Sequence, residues 1–294
     1  MKKGIIFING YTQSVTELNQ PNRIREELDL LGVKTEIRRN LCFSAELNSC
    51  SKIVTDCKHF DFCVYLDKDK YLPRMLEGAG LRLFNCARAV ELCDDKMATF
   101  IALQGTGLRI PKTFAAPLNY TPQVPVNCDM LEKISEELRF PLVVKECYGS
   151  LGKGVYLVKN MTELQRIAEE LKGKPHLFQE FISESAGKDL RVIAIGGEVV
   201  SCMRRVSDKD FRSNAELGGR GEVYALPEEA KSIARCVANS LGLNYCGIDL
   251  LFGKDGLVLC EVNSNAYFAT IERVSGVNVA KAYASHIVRE VYGE

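Results

Sequence analysis

The chain has no tryptophan, only three histidines (His59, His176 and His286) and no surplus of either charge. Thirty-eight Lys and Arg balance thirty-eight Asp and Glu, so nothing in the bulk charge points to nucleic acid or an anionic membrane as partner. No histidine lies beside a cysteine pair, which removes the usual zinc patterns. Long apolar runs are missing as well. Lys2 and Lys3 lead into Ile5, Ile6, Phe7 and Ile8, and Asn9-Gly10 ends the run. It is too short for a signal-peptide core or a membrane span, and reads as a buried first strand. Cysteine is plentiful, at twelve, but no two are spaced C-x-x-C. Cys63 precedes Val64, Cys202 follows closely on Val199 and Val200, and Cys260 follows Leu259. With no secretion signal, the cysteines are expected to be reduced core thiols of a cytoplasmic protein.

What remains is an ordinary globular composition: 294 residues, 46% hydrophobic and 26% charged. That length accommodates two or three lobes with a sizeable core. Strand and helix patterns alternate over residues 1–85: strands at 4–9, 33–37, 60–66 and 82–85, and a helix at 22–31 ended by Gly32. Such alternation suggests a parallel sheet covered on both faces. A helix follows at 94–103, with acidic residues at its N-terminal end, and another at 128–138. Strands at 141–145 and 154–158 flank a Gly-rich loop, and a helix at 162–171 closes this part. From 177 the pattern gives one strand and a hairpin across Gly196-Gly197. A helix at 227–241 comes next, bounded by Pro227 and Gly242, then a hairpin across residues 253–256 and a last helix at 279–291. The expected division is 1–85, 86–178 and 179–294.

The most informative cluster is acidic. Asp249 and the pair Glu261 and Asn263 fall on the two strands of the last hairpin. Glu261 and Asn263 are two apart, so they share a face. Their apolar neighbours imply burial, and a buried carboxylate needs a partner. Two carboxylates and an amide oxygen suit Mg²⁺; ion pairing to a nearby Lys or Arg fits the same spacing. A second cluster is basic and Gly-rich. Lys145 ends an apolar strand, where it can meet a phosphate, and Gly149-Ser-Leu-Gly-Lys-Gly154 follows. Glycine lets backbone N–H groups approach phosphate closely, though the loop is no G-x-x-x-x-G-K-[ST] motif and a plain hairpin turn also accounts for it. A third cluster combines Asp189 and Arg191 with Arg204, Arg205, Arg212 and Arg220. These arginines can clamp phosphate or carboxylate, or simply form a solvated face.

In order, these stretches are Cys93-Asp-Asp-Lys96, Pro141-Leu-Val-Val-Lys145, Gln179-Glu-Phe-Ile182, Asp189-Leu-Arg191, Asp210-Phe-Arg-Ser-Asn214, Gly247-Ile-Asp249 and Glu261-Val-Asn263. Together they resemble the ATP-grasp superfamily, and within it the RimK-like carboxylate–amine ligases, over about residues 85–265. The resemblance implies an α/β fold: an N-terminal parallel α/β domain, then two α+β lobes that clamp ATP. It implies that Lys96, Lys145 and the flap residues Gly149, Ser150, Gly152 and Gly154 meet the phosphates. Gln179, Glu180, Phe181 and Ile182 would lie at the adenine and ribose, and Asp189 would bind ribose or orient the nucleotide. Arg212 and Asn214 would hold phosphate, and Asp249, Glu261 and Asn263 would hold Mg²⁺ or Mn²⁺. Arg191, Arg204 and Arg212 would steady an acyl phosphate. The partners implied are ATP, a carboxylate donor and an amine acceptor; a homodimer is allowed, and neither nucleic acid nor membrane is called for. A ligase acting on a ribosomally made peptide and a non-catalytic nucleotide-binding protein share many of these residues. A dehydrogenase does not, because the first strand leads into Asn9-Gly-Tyr-Thr rather than G-x-G-x-x-G. One departure stands out: Glu-Val-Asn263 continues as Ser-Asn-Ala-Tyr-Phe268, where the family typically has a small residue, Pro and Gly.

Overall fold

The computed structural model describes residues 2–214 and 218–293. The first unit comprises β1 (Lys3–Ile8), α1 (Val15–Leu30), β2 (Lys34–Arg39), β3 (Ala45–Leu47), β4 (Ile53–Thr55), β5 (Phe62–Leu66), α2 (Tyr71–Gly78) and β6 (Arg82–Phe84). Strands β2-β1-β5-β6 form a fully parallel sheet in that order, as the alternating pattern predicted. β3 and β4 pair separately as a small antiparallel hairpin. α1 begins seven residues before its predicted start and contains Pro21. Proline normally marks a helix start; here Ile24 and Leu28, both fully buried, hold the helix against the sheet. The short α2 has too few turns for a clear 3.6-residue period and escaped the sequence reading.

α3 (Ala87–Asp94) and α4 (Lys96–Ala102) come next. Asp95 caps α4, its carboxylate accepting from Met97 and Ala98 N–H at 2.9 and 3.1 Å. The cap sets Lys96 at the first helical position. The central unit holds β7 (Thr113–Ala115), α5 (Cys128–Leu138), β8 (Leu142–Glu146), β9 (Val155–Val158), α6 (Met161–Leu171) and β10 (His176–Glu180). Its antiparallel sheet runs β7-β10-β8-β9. Leu142, Val144 and Phe178 pack on α5 and α6. Alternation therefore sends Val143, Lys145 and Gln179 to the opposite face.

The last unit comprises β11 (Lys188–Ile195), β12 (Glu198–Val206), β13 (Arg220–Glu222), α7 (Glu228–Leu241), β14 (Tyr245–Gly253), β15 (Gly256–Asn263), α8 (Ala269–Ser275) and α9 (Val279–Tyr292). Its antiparallel sheet runs β13-β12-β11-β14-β15. One face carries Leu190, Val192, Ile248, Leu250 and Val262 against Ala234 and Val237 of α7. Burial of such side chains is worth about 1.5–3 kcal/mol each. The other face carries Ile193, Ile195, Met203 and Tyr245 in a second core and, farther along the strands, the charged side chains Asp189, Arg191, Arg205 and Asp249. α9 returns to the first unit, where Tyr283 and Ile287 share a core with Ile6, Ile24, Phe84 and Tyr245. This core joins the first unit to the last.

All twelve cysteines are free; Cys57, Cys63, Cys93, Cys147, Cys202 and Cys246 are buried, while Cys42, Cys50 and Cys128 are exposed. Among the described residues no helix is long and apolar enough to cross a membrane.

Candidate active site

Strand register decides which residues meet. Asp189 lies opposite Arg205, Arg191 opposite Asp249, and Asp249 opposite Glu261. Directly opposed residues project to the same face, so these five side chains line one side of the last sheet, and Asn263 follows two residues after Glu261. The register slips between Asp249 and Leu250, leaving Cys260 as the extra residue of a bulge. Consecutive residues Cys260 and Glu261 consequently both line the same cavity.

The buried charges form an alternating chain. Arg205 donates to Asp189 at 2.7 and 2.5 Å and lies 3.0 Å from Asp249. Arg191 grips Asp249 with two bonds, Nε to Oδ1 and Nη2 to Oδ2. Burial opposes the charged form of Asp249, but the two guanidiniums outweigh it and hold the carboxyl below the usual range. Gly247 makes room for this: a Cβ there would stand 2.3 Å from the Ala266 Cβ and 3.0 Å from Arg191 Nη1. Ion pairing, one of the two readings of the acidic cluster, therefore holds for Asp249. Glu261 is freer, with Lys96 Nζ at 3.6 Å.

Facing this sheet across a cavity are the lysines of the central unit. Lys145, 8% exposed, donates to Gln179 Oε1 at 2.7 Å and lies 3.6 Å from Cys260 Sγ. Among the described residues it has no carboxylate within 4.0 Å. Gln179 is in turn fixed by donating to Thr113 at 2.8 Å. Burial pushes the Cys260 thiol up, so it stays protonated beside Lys145. Lys96 Nζ donates to Gly149 O at 3.2 Å, and Arg212 Nη1 donates to Gly152 O at 2.6 Å and Val155 O at 3.2 Å. Cations from two other elements thus hold the Gly-rich loop down. At its end Gly154 has φ +69°, and a Cβ there would meet the Glu146 side chain at 3.0 Å.

The same cavity is lined by Lys96, Lys145, Gly149, Ser150, Gly152, Gln179, Glu180, Phe181, Ile182, Asp189, Arg212, Asn214, Asp249 and Glu261. It lies between the central and last sheets. A second cavity of about 470 Å³ opens between the last sheet and the first unit; Arg191 and Asn263 line it. Ser150, Arg205, Ser213, Asn214, Asp249 and Glu261 line both.

Two expected residues fall outside these walls. Gly154 only shapes the loop. Arg204 projects to the other face of its strand, opposite Leu190; it donates to Glu222 at 3.1 and 2.6 Å and stacks over Tyr224. Its neighbour Arg205 takes the place expected of it. The sequence pointed the other way: a two-residue turn at Gly196-Gly197 pairs Asp189 with Arg204, and the register shift between Ile193 and Ala194 moves its partner to Arg205.

The family model that matches describes a RimK-like ATP-grasp domain, over residues 94–287. Beta-citrylglutamate synthase B of Homo sapiens is 37% identical over 228 residues, 76% of this chain and 57% of that protein. N-acetylaspartylglutamate synthase A of Homo sapiens is 37% identical over 226 residues, 76% of this chain and 56% of that protein. The chain thus spans little more than half the length of these two curated relatives. Its fold is also that of a D-alanine–D-alanine ligase from Bacillus anthracis solved with ATP, with a TM-score of 0.73 at 18% identity, covering 99% of this chain and 97% of that one. On the matched domain and these relatives together, the chain belongs to the RimK-like ATP-grasp family.

Proposed function

We propose that the chain is an ATP- and Mg²⁺-dependent carboxylate–amine ligase that works through an acyl phosphate and releases ADP and phosphate. The observation that carries this reading is Lys145: a buried ammonium with no carboxylate within 4.0 Å among the described residues, facing Asp249 and Glu261 across one cavity. A buried cation without an anion is costly, and a polyphosphate supplies the anion. The oxygen donors Asp249, Glu261 and Asn263 fit Mg²⁺, with Mn²⁺ as substitute. When bound there, the ion would neutralise phosphate oxygens.

The chain's own residues then have distinct tasks. Phe181 and Ile182, with Val143 and Leu251, line the apolar end of the cavity and suit an adenine. Glu180 sits at the hinge, where its N–H donates to Lys112 O at 2.9 Å. Lys96, Lys145 and Arg212 hold phosphate, and Gln179 aims Lys145. Asp189 keeps Arg205 oriented at the junction of the two cavities, where with Arg191 it stabilises charge on the acyl phosphate. The Gly-rich loop keeps water from that intermediate. Carboxylates acylate amines poorly at neutral pH, and phosphorylation provides the leaving group. Positioning and charge neutralisation carry the catalysis.

Both named relatives carry glutamate in their product names. Glutamate is therefore the first amine to test, and citrate and N-acetylaspartate the first acids. The cytoplasm, with its ATP and free amino acids, suits this chemistry. Phosphorus NMR with Mg²⁺, ATP and these compounds, with Glu261→Gln as control, tests it. Acid-dependent ADP and phosphate, absent in the control, are expected. AMP and pyrophosphate would replace the mechanism by adenylation, and bound but unreacted ATP would leave a nucleotide-binding protein.

A further inference from the structure

The larger cavity contains one buried carboxylate that the mechanism above does not use. Asp67, directly after β5, is 9% exposed. Its Oδ1 accepts from Asn9 Nδ2 at 3.2 Å and from Lys68 N–H at 2.8 Å; its Oδ2 accepts from Asn40 Nδ2 at 2.6 Å and Asn9 Nδ2 at 3.3 Å. Every partner is an amide. Among the described residues no cation lies within 4.0 Å of it, and the adjacent Lys68 ammonium is taken by Asp94 at 2.8 Å and Ser150 Oγ at 3.0 Å. Burial, with Asp69 and Asp94 nearby, pushes the Asp67 carboxyl up despite those amides.

The amides are themselves fixed. Asn40 Oδ1 accepts from Gly10 N–H at 2.8 Å, Asn9 Oδ1 accepts from Tyr11 N–H at 2.9 Å, and Arg39 donates to Gly10 O and Thr12 O at 2.9 and 2.7 Å. Thus the loop after β1 is tied to Asp67, and Asn9, Tyr11, Thr12 and Asp67 line the cavity together. Among the described residues, Asp67 and Lys68 are the charged ones that the first unit contributes to this wall, and Lys68 is already neutralised. The wall therefore offers an uncompensated negative charge. The residues common to both cavities, among them Ser150 at 3.0 Å from Lys68 Nζ, mark where phosphate and the activated acid would lie. An amine that attacks the activated acid must reach it within the larger cavity, where the first unit presents Asp67.

We propose that Asp67 is the receptor for the ammonium group of an α-amino acid acceptor, held ready by Asn9 and Asn40. The ammonium brings the positive charge the wall lacks and forms a charge-assisted bond in a desolvated site. On attack a proton passes from the nitrogen to the Asp67 carboxylate, the C–N bond forms at the acyl carbon, and phosphate leaves with the C–O electron pair. This role of Asp67, in direct contact with the amine, rests on the ligase reading, so its test must separate the two.

Hydroxylamine does so. It is neutral near pH 7 and intercepts an acyl phosphate as a hydroxamate, so it needs no ammonium receptor. ADP release and hydroxamate are measured with ATP, Mg²⁺ and citrate or N-acetylaspartate, with either L-glutamate or hydroxylamine as nucleophile. Asp67→Asn is expected to raise the KM for L-glutamate at least about tenfold, as loss of one charged hydrogen bond implies. Hydroxamate formation should stay within about twofold of the parent by the same reasoning. Asn40→Ala, which leaves the carboxylate but removes its shortest bond, should raise the same KM less. Thermal melting checks that both variants are folded. Equal loss with both nucleophiles would make Asp67 a scaffold residue and overturn the receptor, as would an unchanged KM. Absence of hydroxamate from the parent chain would remove the ligase reading and the receptor with it.

Discussion

Two buried aspartates face the same cavity in opposite electrostatic states. Asp249 is gripped by Arg191 and Arg205, and its carboxyl is held low. Asp67 is surrounded by amides, and its carboxyl is pushed up. The difference shows what each wall still requires. The sheet wall is internally neutralised, and a cation ligand there must compete with guanidiniums. Among the described residues, Asp67 on the wall of the first unit has hydrogen bonds but no counter-charge, so the partner it lacks is positive. Glu261 stands between these extremes, with a single lysine at 3.6 Å.

The largest expected effect comes from breaking the neutralised wall. Asp249→Ala strands the Arg191 guanidinium and takes one of two carboxylates from Arg205, and removal of one partner from a buried pair costs about 3–5 kcal/mol. Urea unfolding should show that loss together with loss of ADP formation; a loss of activity at unchanged stability would mean that Asp249 is not the anchor of the network. Glu261→Gln should behave differently. Its ADP formation should fall at least about a hundredfold, as removal of a group supporting a catalytic metal would require, while its unfolding free energy stays within about 0.5 kcal/mol. Steady-state kinetics beside a urea titration separates the two effects.

A smaller contrast lies between neighbouring arginines. Arg204→Ala breaks a partly exposed pair and should change stability by about 1 kcal/mol or less, leaving turnover near the parent value. Arg205→Ala should reduce both. Similar kinetics for the two variants would contradict the facing assigned by register. The smallest effect is the pH response of Asp67. Its native carboxyl titrates above the usual aspartate value, so the native chain holds the proton that the unfolded chain has lost. The stability contributed by this residue is therefore fully present below the ordinary aspartate value and declines as pH rises toward the raised native one. Unfolding free energies of the parent and Asp67→Asn across that window should diverge in this direction. A parallel pair of curves would show that Asp67 is not desolvated.

Much of the architecture can be read from sequence pattern alone. The parallel first sheet, α5, α7, α9 and both hairpins of the last unit have strong periodicity and clear Gly or Pro boundaries. α2, α3 and α8 were missed because seven or eight residues give a period too few repeats to register. In the cavity, Lys145, Glu261 and Asn263 were legible because each interrupts an apolar strand, and burial of such a group demands a reason. Asp67 has the same apolar strand before it, yet was passed over, because a polar residue just beyond a strand is ordinary loop chemistry.

The sequence by itself determined the chemical inventory, its order along the chain and, through the two-residue period of strands, which neighbours share a face wherever no bulge intervenes, as one does at Cys260. Tertiary structure decided which charges are already satisfied. Whether Asp249 meets Arg191, whether Lys145 lacks a carboxylate and whether Asp67 meets only amides depend on register and on loops joined across 58, 115 or 27 residues of chain. Electrostatic partners are set by distance in space and by exclusion of water, and neither is a function of position in the sequence.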